Sequence, residues 1–148
     1  MIKTEQEYKR TKKMVENEVR LYEEQKQKLK AQGFSEQEAE NLISHGMVVH
    51  EQKKQELRQY ERIQQGDFRG LENDWGKLLI AFRVYRRMTQ AELARRLNVS
   101  PSQVSMDESN EYHGISVQKL ERIMKVLDIE ASFRPKDRED GNLYMGIN

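Results

Sequence analysis

The sequence predicts an all-α protein: a long antiparallel helical hairpin, then a compact unit of short helices, then a short polar tail. Residues 1–66 contain no proline and three glycines and are dense in Glu, Lys and Gln, the composition of long helices. Beyond residue 70 the texture changes to short amphipathic segments, each opened by a Ser, Thr or Asp. Only 36% of the 148 residues are hydrophobic while 34% are charged, too few to fill one large core. The expected division is therefore a hairpin leader at 1–66, a linker at 67–73, a compact domain at 74–133 and a tail at 134–148.

The first arm opens at Thr4-Glu5-Gln6-Glu7, a capping box in which Thr4 accepts from the Glu7 amide. Tyr8, Val15, Tyr22 and Leu29 recur every seven residues with Val19 beside them, a narrow apolar stripe that Gly33 ends. A second box, Ser35-Glu36-Gln37-Glu38, starts the other arm, and Phe34 is placed to staple the turn. Leu42, Ile43, Val49, Leu57, Tyr60 and Ile63 should form its inner side, with Gly46 a weak point and Gly66 the stop. Each arm would be ~40 Å long at 1.5 Å per residue. Such thin stripes need further tertiary or partner contacts, so we expect a dimer with residues 1–66 in the interface, or a protein partner held by the leader or the tail. The tail is expected to be disordered, and Ile129 to Phe133 reads as a short strand.

Composition narrows the function classes. With 26 Lys and Arg against 25 Asp and Glu, the net charge of +1 gives no uniformly basic coat. There is no cysteine, which removes disulfides, thiolate nucleophiles and Cys-type zinc sites. No apolar run approaches the ~20 residues of a membrane span, and no apolar stretch follows Met1. A cytoplasmic protein without signal or anchor is the expectation. His45 and His50 stand five apart, about 140° around a helix, so they cannot share a metal without distortion. No nucleophile, base and carboxylate fall into a recognisable motif, and no glycine-rich phosphate loop is present. We expect neither an enzyme nor a cofactor or metal.

Trp75 to Leu127 carries the chemistry. A helix opening at Asp74 brings Trp75, Leu79, Phe82 and Arg83. Thr89-Gln90-Ala91-Glu92 is a third capping box, followed by Leu93, Ala94 and Leu97 facing inward and a tight turn at Asn98-Val99. Ser100-Pro101-Ser102-Gln103 then gives a Ser cap, Pro at the first helical position and Gln at the third, with Gln103 expected to close the box. Val104 is the buried anchor, and Ser116 caps a last helix bearing Leu120, Ile123, Met124 and Leu127. Two short helices joined by such a turn cross steeply. The second is left protruding, and its free amides and partial positive charge suit phosphates and base-edge acceptors. Arg83, Arg86, Arg87, Arg95 and Arg96 lie within fourteen residues against the single acid Glu92, a local positive field in a nearly neutral chain.

Arg83, Thr89-Gln90-Ala91-Glu92-Leu93-Ala94, Leu97, Val99-Ser100, Val104-Ser105 and Glu108 resemble the helix-turn-helix family of the lambda and 434 repressors and Cro. The resemblance implies a domain of about five helices that binds operator DNA as a dimer. It implies that Gln90 meets phosphate or a base edge, that Ser102 and Met106 face the major groove, and that Arg83 and Glu108 form a structural ion pair. Arg86, Arg87, Ser100, Gln103, Ser105, Asn110 and His113 complete the expected DNA-facing set. The leader resembles that of some bacterial regulators and antitoxins of this group, so an interaction module gripping a toxin is the alternative to a repressor-like regulator. Met106 and Asp107 stand after Ser105 where many members have a basic residue, so this helix carries no Arg, Lys or Asn for a bidentate base contact.

Overall fold

A computed structural model describes residues 1–132, apart from the side chain of His45, and shows six α-helices and no strand among them. They are α1 (Glu5–Ala31), α2 (Glu36–Gln64), α3 (Trp75–Tyr85), α4 (Gln90–Leu97), α5 (Pro101–Ser109) and α6 (Val117–Leu127). The first two form the antiparallel hairpin. The other four supply the compact domain, so four of its five expected helices lie among the described residues. Residues 129–132 have no regular structure, against the strand expected there; Phe133 and the tail lie outside the described residues.

A side-chain cap opens each of the six described helices. Thr4, Ser35, Asp74, Thr89, Ser100 and Ser116 each accept a hydrogen bond from the amide three residues on. Among the described residues only Ser35 and Glu38 close a full reciprocal box. Glu7 reaches the Lys3 amide instead, Glu92 pairs with Arg96, and Gln103 donates to Asp107 at 3.0 Å. The expectation that Gln103 closes a box is thus corrected: a carboxylate one turn along its helix is the better acceptor.

Two cores hold the chain together. Leu79, Ile80, Leu93, Ala94, Leu97, Val104, Ile123 and Leu127 fill the compact domain, and Ala94, 0% exposed, lets α4 and α5 approach closely. A second core joins the leader to α3 through Ile2, Val15, Leu57, Tyr60, Ile63, Leu71, Ala81 and Val84. The leader is therefore docked on its own domain. Residues 67–73 are not a free linker either. Leu71 is buried, Phe68 packs edge-on against Phe82 and Tyr85, and Asp67 is clamped between Arg62 and Arg69, which hold its carboxyl far below the usual range.

Within the hairpin the proximal half is sealed by Val15, Leu57 and a stacked Tyr8–Tyr60 pair with centroids 4.9 Å apart. Further out the seam is polar, with Glu18 accepting from His50 and Lys53, and Ala39 buried beyond them. Leu42 and Val49, expected on the inner side, are 58% and 55% exposed. They flank the seam because Ala39, His50 and Leu57 occupy its centre. Through Gly46 α2 runs unbroken; a Cβ there would stand 2.5 Å from the Tyr22 hydroxyl, so the residue makes room for a ring from α1. Among the described residues no helix is long and apolar enough to cross a membrane.

These burials separate two sets of apolar positions on one helix. Ile63→Ala should cost about 3 kcal/mol by lost transfer energy and cavity formation, whereas Leu42→Ala should change stability by less than about 0.5 kcal/mol. Urea melts of the two variants check this, and equal losses would mean that the second core does not join leader to domain.

Candidate functional site

The site is organised around two opposite charges taken out of water. Arg83 on α3 and Glu108 on α5 have side chains 3% and 0% exposed and meet in a two-point pair, Nε to Oε1 at 2.5 Å and Nη2 to Oε2 at 2.6 Å. Burying two ions is unfavourable unless every remaining donor and lone pair finds a partner. Here Arg83 also donates to the carbonyls of Met88 and Lys3, each at 2.8 Å, and Gln90 Nε2 donates to Glu108 Oε2 at 2.8 Å. No buried side-chain polar atom among the described residues lacks a partner. The pair consequently fixes the last turn of α5 against α3 and ties in the start of α4.

Anchored in this way, α5 buries Val104 and Glu108 and turns Ser102, Ser105, Met106 and Ser109 to the other side. Met106 is 67% exposed, Ser102 is exposed and Ser105 half-buried. Ser109 was not expected, although its spacing from Ser102, Ser105 and Met106 on one helix already aligns it with them. Ser100 accepts from the Gln103 amide at 3.1 Å, and its hydroxyl lies 3.0 Å from that of Ser102. Asp107 is held by Gln103 and by Lys119 of α6 at 2.6 Å, so its charge is compensated beside this face. Lys119 was also missed: the cation comes from another helix, and nothing local in the sequence joins it to α5.

The loop after α5 is tightly built. Glu111 and Tyr112 both have left-handed backbones, φ 49° and 54°, a conformation costly for residues with a side chain. What holds them is burial of Tyr112 and the packing of α3 on the loop, where a Cβ on Gly76 would collide with the Glu111 carbonyl. Burial, with the Glu108 charge nearby, pushes the Tyr112 hydroxyl well above the ordinary tyrosine range. Asn110 and His113 are exposed at the loop tip and bonded to each other, with His113 Nδ1 donating to the Asn110 carbonyl at 2.7 Å.

The arginine cluster is less of a field than its sequence implies. Arg83 is neutralised in the pair, Arg86 donates to the Leu127 and Asp128 carbonyls and to the Asp128 carboxylate, and Arg96 pairs with Glu92. Arg86 thus caps the carboxyl end of α6, the negative end of that helix. Gln90, expected at phosphate or a base edge, is half-buried and donates its side-chain amide to Glu108. Arg87 and Arg95 are exposed. The resulting surface is a mildly polar ridge along α5, flanked by the amino ends of α4 and α5 and by the loop at Asn110 and His113. Among the described residues no group of three or more His, Cys, Asp or Glu could hold a metal ion.

Residues 79–133 match the family model described as helix-turn-helix, of the lambda repressor and Cro-like kind. No curated protein and no solved structure matches the chain.

Removing Arg83 would strand a fully buried carboxylate, so Arg83→Ala should lose ~3–5 kcal/mol of stability. Arg83→Met with Glu108→Leu should recover most of that loss, because an apolar pair of similar size leaves no unpaired charge. Denaturant melts decide between outcomes; a loss below about 0.5 kcal/mol in Arg83→Ala would place the pair in solvent.

Proposed function

We propose, from the premise that residues 79–133 are a helix-turn-helix domain, that the protein binds double-stranded DNA and regulates transcription in the manner of a repressor. The observation that carries this reading is α5 itself. Its inner face is locked by Val104 and the buried pair, and its outer face offers Ser102, Ser105 and Met106 at an amino end capped by Ser100. Phosphates would be met by the amides opening α4 and α5, by Arg87 and Arg95, and by the Asn110 and His113 loop. Bases would be read by Ser102 through its hydroxyl and by Met106 through apolar contact with a thymine methyl. Neither matches a bidentate arginine–guanine pair at ~1–3 kcal/mol, so discrimination is modest and DNA shape supplies part of it. A cytoplasmic location accompanies this reading.

Selection from a random duplex pool by the purified full chain tests it. The expected result is an enriched, two-fold-related and salt-sensitive motif. Replacing Arg87 should flatten the salt slope by about one unit if it neutralises one phosphate. Met106→Arg should raise affinity generally and add a guanine preference. Strong, highly selective binding that is indifferent to both Ser102 and Met106 would refute α5 as the reading helix and point to the loop at 110–113.

We further propose that the protein acts as a homodimer through residues 1–66. The support is the outer half of the hairpin, where α1 and α2 leave a groove of about 430 Å³ lined by Val19, Tyr22, Ile43 and Met47. Its rim carries both signs of charge, Glu23 and Glu40 with Lys26, which suits contact with an identical surface. Sedimentation should show a dimer at tens of micromolar that Val19→Asp with Met47→Asp dissociates. A monomeric wild type would instead favour the second reading, an antitoxin-like module whose groove takes a foreign protein and whose DNA binding is secondary or lost.

A further inference from the structure

The short segment before α1 enters the compact domain and touches the buried pair from both sides. Ile2 is 1% exposed and packs with Val15, Tyr60, Ile63 and Val84. Directly after it, the Lys3 carbonyl accepts from Arg83 Nη2 and Lys3 Nζ donates to the Glu108 carbonyl, both at 2.8 Å. The Lys3 amide donates to Glu7 at 2.9 Å, and Thr4 begins α1. One leader residue is thus bonded to both members of a pair that lie 80 and 105 positions further along the chain.

Each bond answers a need of the domain. The Glu108 carbonyl belongs to the last turn of α5, where it accepts from the Glu111 amide at 3.1 Å and where a second donor that is also a cation is favoured by the helix dipole. Without the Lys3 carbonyl, a guanidinium hydrogen in a dry site would lose its acceptor. We infer that residues 2–4 form a clasp that sets the position of α5, with Lys3 a positioning residue of the reading helix and not itself a contact to DNA. The consequence for DNA rests on the function proposed above; the clasp does not.

Hydrogen exchange of the full chain, compared between wild type, Lys3→Met and Lys3→Arg, provides the test. In Lys3→Met the amides of residues 106–112 should exchange about tenfold faster, while those of residues 54–63 in α2 are unchanged and Lys3→Arg stays close to wild type. Affinity for the duplex enriched by the wild type should fall about five- to tenfold in Lys3→Met and recover in Lys3→Arg. Unchanged exchange at 106–112 overturns the clasp, and so does equal acceleration throughout the chain, which would make Lys3 a general contributor to stability. Should Lys3→Met not fold, Lys3→Gln, which keeps a donor without the charge, faces the same criteria. Local acceleration in a protein that enriches no duplex keeps the clasp and removes the DNA reading instead.

Discussion

The buried pair of Arg83 and Glu108 is the constraint from which the rest of the site follows. Neither charge is tolerable alone at under 5% exposure, so each partner's remaining bonds become obligatory. Those bonds reach the Met88 carbonyl before α4, the Gln90 amide at its start, the end of α5, and Lys3 in the leader. A loosely packed apolar contact would accept several arrangements of these elements. A two-point ion pair with directional bonds on every side accepts far fewer.

This arrangement also explains how a helix of unremarkable composition can be presented for recognition. Only Val104 and Glu108 of α5 are buried, and its outer face is mostly serine. Such a short helix has little intrinsic stability. Its orientation comes instead from the Ser100 cap at one end and from the ion pair and Lys3 at the other. The left-handed pair Glu111 and Tyr112, kept in place by Tyr112 burial, then turns the chain toward α6.

The two halves of the hairpin do different work for a physical reason. Near the domain, Val15, Leu57, Tyr60 and Ile63 bury apolar surface against α3 and anchor the leader. Farther out the seam is bridged by Glu18, His50 and Lys53, and the hydrogen bonds from Lys53 and His50 lower the Glu18 carboxyl below the usual carboxylate range. A polar seam fixes the register of two helices but buries little apolar area. Val19, Leu42, Val48 and Val49 consequently stay exposed on the outer half.

Local chemistry determined much of this protein in advance. Cap residues, proline at a first helical position and glycines beyond helix ends are short-range signals, and they placed the helices and their boundaries closely. The pairing of Arg83 with Glu108 was implied by the resemblance to the repressor family, not by any short-range signal. What the sequence could not decide was which way polar groups with two options would turn. Gln90, Gln103 and Arg86 are exposed types at plausible contact positions, yet each found a partner from a distant or neighbouring turn. Leu42 and Val49 match an inner stripe, yet Ala39 and His50 took the seam because its centre is set by how the two helices cross. Lys3 bears no local sign of its role, since both of its partners lie far along the chain. Periodicity and capping act over a few residues and can be read in one dimension. Competition for donors, acceptors and buried space is settled only when distant segments meet, and it was the tertiary structure that settled it.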